Sequence, residues 1–340
     1  MGPALEGLLD EVTRMPVPAA VFDWMRSDAE AMRTLSLVGE ILIAGTHDSA
    51  LGQIGSRLWS VAEGRLGGVL PPGMAWYAGV AGLGNAMLRV LGIHGPRPSR
   101  EFRLLMTDAV DGERASTPGG ETGGVELGRV ELPRPPSPAS GDDVSVALIE
   151  AARLLLRERG AERTTTRDIA AGAGVSTGAL YRRYEGKSRL LADVLLHELQ
   201  PERYEWTWEL IRALAKDEPY VEAAEVLSDR ILEMSGDLPS QAVLLQVGVA
   251  ARNDESLRSQ IRQRVDDAQA ARLGMLETLV ESGLMRPDLD CASLAWGFQA
   301  VPVGMRVLLC AGMPPDPPAV RAGMRALCVA GRPDGTLPES

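Results

Sequence analysis

Apolar residues along this 340-residue chain recur every three or four positions over most of its length. That is the period of the α-helix rather than the alternation of a half-buried strand. The pattern is sharpest over residues 147–194. Leu148, Ile149, Ala152, Leu155 and Leu156 form one apolar face, which Asp142 or Asp143 can cap and Gly160 ends. A second helix opens with Thr165-Thr166-Arg167-Asp168, where Thr165 and Asp168 have the capping-box spacing. Ile169 points to the core, and Ala170 is small where two helices cross. Gly174 supplies a turn, Val175 re-enters the core and Ser176 caps a third helix. Leu180 and Tyr184 fill the inner face of that helix, and Lys187 starts a fourth.

On either side of this block the pattern also predicts helices separated by turns, so the expected fold class is all-α. Five regions follow: a helical domain at 1–110, a linker at 111–142, a helix-turn-helix domain at 143–195, a helical domain at 196–332 and a disordered tail at 333–340. The linker is rich in Gly, Pro and Ser, and at most its VELGRVEL stretch forms a short strand.

The two helical domains share a pattern. Ser49, Gln53, Ile54, Arg57, Arg65, Leu66 and Gly67 match Ser256, Gln260, Ile261, Arg264, Arg272, Leu273 and Gly274 at a constant offset of 207. After a gap of 13, Ala75, Trp76, Gly84, Leu88 and Gly92 match Ala295, Trp296, Gly304, Leu308 and Gly312 at an offset of 220. Residues 1–110 therefore read as a shortened copy of the later helical domain.

Composition narrows the function. At 45% hydrophobic and 24% charged, the chain has the make-up of a soluble globular protein. Three cysteines, Cys291, Cys310 and Cys328, are no disulfide framework, and a reducing cytoplasm is the expected setting. The first residues lack the basic and apolar regions of a signal peptide. Residues 74–93 approach the ~20 residues of a membrane span. Asn85, Arg89 and several glycines favour a buried helix with close neighbours instead, so no membrane partner is expected. His47, His94 and His197 are isolated, and no Ser/His/Asp, Cys/His or paired-carboxylate constellation stands out. Neither an enzyme nor a metal or other cofactor is expected.

The net charge of −11 argues against indiscriminate nucleic-acid binding, yet residues 145–195 carry nine basic and six acidic side chains. A locally basic module can hold phosphates while the acidic remainder limits nonspecific adhesion. The core assignments leave Thr177, Gly178, Ala179, Tyr181, Arg182 and Arg183 on the outer face or N-terminal end of the third helix, the end that enters the major groove. Gly178, a poor helix former, suits a backbone that approaches DNA closely. Lys187 sits where a cation opposes the helix dipole, a cost that a phosphate neighbour offsets.

This segment resembles the DNA-binding domain of the tetracycline-repressor (TetR) family of transcriptional regulators. The matching residues are Thr165-x-Arg167-Asp168-Ile169-Ala170, Ala173-Gly174-Val175-Ser176, Gly178-x-Leu180-Tyr181-x-x-Tyr184 and Lys187. Tyr184 stands where Phe is common, and Arg183 where His is common. The resemblance implies phosphate contacts from Thr165, Ser176, Tyr181 and Lys187. It implies base contacts from Thr177, Ala179 and Arg182, with Arg183 in either role. It also implies a repressor that leaves its double-stranded operator when a small-molecule effector binds the C-terminal helical domain. Met234, Gln241, Gln246, Trp296, Gln299 and Met305 are candidate pocket residues there, offering apolar surface with a few polar handles.

In the family the penultimate long helix packs in a four-helix bundle between two subunits. With two such domains and one reading head, three arrangements are open. The domains pair within one chain as a pseudo-dimer, they pair between chains as a homodimer, or a first helix-turn-helix lies upstream of Met1. The rival to DNA binding is a helical interaction module that keeps the fold and has lost that activity.

Overall fold

The computed structural model describes residues 29–46, 48–115, 142–198, 209–210, 213–214 and 219–333. These residues are helical with connecting turns, and no strand occurs among them, so the fold is all-α. In chain order the helices are α1 (Ala29–Gly45), α2 (Ser49–Gly67), α3 (Pro72–Val90), α4 (Arg100–Ala115), α5 (Asp143–Arg159), α6 (Thr166–Gly172), α7 (Thr177–Arg183), α8 (Lys187–Glu198), α9 (Pro219–Gly236), α10 (Leu238–Ala251), α11 (Glu255–Glu281), α12 (Cys291–Cys310) and α13 (Pro317–Ala330). They form two compact units. One holds α5 to α8 with residues 237–268, and the other holds the remaining helices.

The first unit is built around local caps. The Asp142 carboxylate accepts from Ser145 N at 2.9 Å, and Gly160 ends α5 with φ of 76°. Thr165 and Asp168 form a complete capping box on α6, and Gly174 turns the chain with φ of 67°. Ser176 Oγ accepts from Ala179 N at 3.1 Å to start α7. Leu148, Ala152, Leu156, Ile169, Ala170, Leu180 and Leu190 are the buried core of these helices. Helix α10 packs on α5 and α8.

The second unit is organised by α3, which is buried continuously from Gly73 to Leu88. It contacts α1, α2, α12 and α13, and α4 lies against α13. Residues 74–93 thus form a core helix and its closing turn. Among the described residues, the helix long and apolar enough to cross a membrane is α12, whose inner face is packed against α3. Backbone contact explains the glycines in α3. A β-carbon on Gly84 would overlap the Ala300 carbonyl and lie 2.8 Å from Gly304 N. A β-carbon on Gly304 would overlap the Val80 carbonyl and lie 3.0 Å from Gly84 N. Each glycine costs up to ~1 kcal/mol of helix propensity relative to alanine. Side chains here would force the two helices apart.

The two helix ends at Gly92 and Gly312 share one geometry. Their φ angles are 69° and 77°. Ile93 N donates to Leu88 O at 3.0 Å, and Met313 N donates to Leu308 O at 2.9 Å. This is a glycine-closed C-cap in the left-handed region, which also closes helices at Gly174 and Gly283.

One expected boundary moves. Helix α4 continues through Ala115, so 111–115 are helix rather than linker. The cause is Glu113, whose carboxylate accepts from Gly73 N at 2.7 Å and Met74 N at 2.8 Å. An anion there satisfies two open N–H groups and complements the dipole at the start of α3. Residues 116–141, including the VELGRVEL stretch, lie outside the described residues, as do residues 1–28 and 334–340.

Overpacking a tight helix crossing costs roughly 1–3 kcal/mol or more. Gly84→Val and Gly304→Val are therefore expected to lower the melting temperature by several degrees in a thermal circular-dichroism scan. Gly64→Ala is the control. A β-carbon there meets nothing within 4 Å, so that variant should melt at or above the parent temperature.

Candidate DNA-reading head

Helices α6 and α7 position the outer face of the head. Ile169, Ala170 and Leu180 anchor it from beneath, leaving Tyr181, Arg182 and Arg183 exposed in sequence along α7. Tyr181 is 53% exposed, and its hydroxyl lies 3.2 Å from Thr166 Oγ1, which holds the ring against α6. Gly178 is exposed, while Thr177 and Ala179 are half-buried beside it. Arg182 makes no hydrogen bond or ion pair among the described residues.

The other expected contacts are already engaged within the head. Thr165 Oγ1 donates to Asp168 Oδ2 at 2.6 Å, so its proton is committed to the capping box. Ser176 Oγ only accepts, from Ala179 N, and its proton is free to donate outward. Lys187 Nζ donates to the Ala161 carbonyl, and its half-burial pushes the ammonium pKa down. Two of its three N–H bonds remain available.

Arg183 differs from its neighbours. Its guanidinium clasps the Asp142 carboxylate, with Nε 3.0 and 3.1 Å from the two oxygens, while Nη2 pairs with Oδ2. Asp142 thus caps α5 and ties α7 to it. The hydrogen bond from Arg183, followed by that from Ser145 N, holds the Asp142 carboxyl well below the usual carboxylate range.

Three further ties were not apparent from the sequence. Thr164 is buried and donates to Gly160 O at 2.8 Å, stitching the α5–α6 corner. Gln246 Oε1 on α10 accepts from Ala161 N at 2.9 Å. Ala161 therefore bonds Gln246 through its N–H and Lys187 through its carbonyl. Ser188 Oγ bonds Asp254, which also caps α11 through Leu257 N at 2.9 Å.

The six candidate pocket residues divide between the two units. Gln241 and Gln246 are buried on α10 in the unit of the head. In the other unit, Met234 is half-buried on α9, and Gln299 accepts from Arg272 Nη1 at 2.7 Å. Met305 is fully buried. Trp296 packs on Gly95 and donates from Nε1 to Asn85 Oδ1 at 3.3 Å. A shallow cleft between α8 and α11, lined by Arg189, Ala192, Asp193, Leu196, Gln260 and Arg264, contains none of the six. Burial pushes the free thiols up, to about 11 at Cys291 and Cys310 and about 12 at Cys328, so none is poised as a nucleophile.

A family model described as bacterial regulatory proteins, tetR family, matches residues 148–194. Over 147 residues the chain is 30% identical to the HTH-type transcriptional repressor Rv3405c of Mycobacterium tuberculosis strain H37Rv, spanning 42% of this chain and 71% of that protein. The chain belongs to the TetR family. Another TetR-type relative is the HTH-type transcriptional repressor KstR2 of the same organism, 28% identical over 144 residues, or 42% of this chain and 70% of that one. Among solved structures, the fatty acid degradation regulator FadR from Bacillus halodurans is similar at a TM-score of 0.41 and 14% identity, over 56% of this chain and 96% of that one. This TetR-family chain is a DNA-binding transcriptional regulator, and α6 and α7 are its helix-turn-helix.

The depressed pKa of Asp142 carries a sign. A carboxylate stabilised in the folded head adds stability above its unfolded pKa and loses it as pH falls through and below that range. The head's melting temperature should drop on acidification in that window, and Asp142→Asn should flatten the drop. Melts followed by circular dichroism across acidic pH check this. An unchanged profile in the variant would remove Asp142 as a source of the dependence.

Proposed function

We propose that this chain is a repressor that binds a double-stranded operator through α7 and leaves it when a small molecule binds its helical domain. The observation that carries the reading is the unpaired, exposed Arg182, flanked by Tyr181 on the face that a helix-turn-helix lays in the major groove. Arginine reads guanine through a bidentate contact, and Thr177 and Ala179 sit beside it for smaller contacts. Gly178 lets the backbone come close. Ser176, Tyr181 and Lys187 hold phosphates, Ser176 through its free proton and Lys187 through its remaining N–H bonds. Thr165 contributes a phosphate contact once its hydroxyl turns from Asp168. The Asp142 clasp makes Arg183 a residue that orients α7, and it contacts phosphate only if that ion pair opens.

Release requires only that the effector favour the conformation with weaker DNA affinity. Gln246, Ala161 and Lys187 supply a physical route. A ligand that displaces Gln246 on α10 releases the Ala161 peptide, on which the Lys187 ammonium is seated. Gln241 stands on the same helix, while Met234, Trp296, Gln299 and Met305 are candidates for a separate site. The role is regulatory rather than catalytic, and the compartment is the cytoplasm, where DNA and effector meet.

The test is fluorescence anisotropy on labelled duplex from the region upstream of the coding sequence, with excess nonspecific competitor. Binding is expected to survive competitor and to weaken about 10-fold or more in Arg182→Ala, in line with ~1–3 kcal/mol for a bidentate base contact. Lys187→Ala should weaken all duplexes alike and lessen the salt dependence. Binding that is indifferent to both substitutions would favour an interaction module in place of a DNA reader.

A further inference from the structure

Helices α3 and α12 meet through contacts that interchange under one shift of numbering. Gly84 abuts Ala300 and Gly304, and Gly304 abuts Val80 and Gly84. Adding 220 to 80 and 84 yields 300 and 304, so each contact maps onto the other. The same shift relates Tyr77 to Gly297, and these two also touch, since a β-carbon on Gly297 would overlap the Tyr77 hydroxyl. It also relates the glycines at the C-terminal ends of these two helices, Gly92 and Gly312. Reciprocal contacts of this kind are the signature of an isologous, two-fold interface, which two copies of one surface normally form. Here two segments of one chain form it.

The departures from symmetry decide the pairing. The Trp296 indole donates to Asn85, but Trp76, its counterpart, has no partner for its buried Nε1 among the described residues. The counterpart of Asn85 is Met305, which offers only a weak sulfur acceptor. An α12 helix set against a second α12 would leave both Trp296 indoles facing Met305 with buried N–H groups unpaired, whereas the α3 pairing leaves one such group, that of Trp76. At the Tyr77–Gly297 contact, one ring fills the space beside one glycine. Two α12 helices would bring glycine to glycine and leave a void, and two α3 helices would bring ring to ring. The ring-to-glycine fit at Tyr77 and Gly297 therefore favours the mixed pair over either like pair.

An ion cluster reinforces it. Buried Arg286, in the turn before α12, bonds Asp108 of α4 at 2.9 Å and Asp288 at 2.7 Å. Ser99 N donates to Asp290, the residue that caps α12, at 3.0 Å.

We propose that residues 72–115 occupy, within the same chain, the face that α12 and α13 would otherwise offer to a second copy. Residues 1–340 then form a pseudo-dimer around the one helix-turn-helix described in them, and this stretch recognises a single DNA site without two-fold symmetry. The DNA half of this statement rests on the proposed repressor reading, and the pairing half does not.

Two measurements on residues 1–340 test it. Sedimentation velocity across a hundredfold concentration range should give one species at the chain mass of 36.3 kDa. A species of twice that mass would overturn the proposal. Selection of duplexes from a random pool by the purified chain should enrich a motif with no inverted repeat, bound by one chain per duplex in native mass spectrometry. An inverted repeat bound by two chains would overturn it. If no sequence is enriched, the DNA-binding reading fails, and sedimentation alone decides the pairing.

Discussion

Everything in the larger unit depends on the approach of α3 and α12 at Gly84 and Gly304. There the two backbones touch, with carbonyls and amides where side chains would otherwise stand. Such an approach demands hydrogen at both positions and small or flat neighbours around them. The burial of α3 on all sides, the seating of Trp296 over Gly95 and the docking of Gly73 on Gly323 surround this crossing. The Arg286 cluster and the Glu113 cap close its flanks with satisfied charge, as buried ions require.

The reading head obeys a different constraint. Its shape follows from short-range caps and turns, each spanning a few residues. Asp142, Thr165 with Asp168, Ser176, Gly160 and Gly174 act within their own turns, which is why they were legible in the sequence. The ties that cross the head were not. The Arg183–Asp142 clasp spans 41 positions and the Gln246–Ala161 bond 85, and no local pattern marks either. The clasp holds Arg183 on the protein while its exposed neighbour Arg182 makes no such pair among the described residues.

A repeated spacing in the sequence sets Trp76 beside Trp296 and Gly84 beside Gly304. Matched spacing says nothing about contact, so pairing within or between chains remained open at that level. The asymmetric positions, Asn85 against Met305 and Tyr77 against Gly297, look like ordinary drift until the helices are placed together. Pocket residues were the least legible. Apolar side chains with a polar handle serve packing as readily as ligand binding, and Trp296 is committed to packing. The end of α4 was missed because its cause, Glu113 at the start of α3, lies 40 residues from the groups it caps.

The central claim is that α3 and α12 of one chain face each other. The most direct measurement is a nuclear Overhauser experiment between the Trp296 indole proton and the Asn85 side chain. It is made once on uniformly labelled protein and once, isotope-filtered, on an equal mixture of labelled and unlabelled chains refolded together. The account predicts a cross-peak in the first spectrum and none in the filtered one, which reports only contacts between chains. A Trp296–Asn85 cross-peak in the filtered spectrum would place the crossing between two molecules and contradict the account.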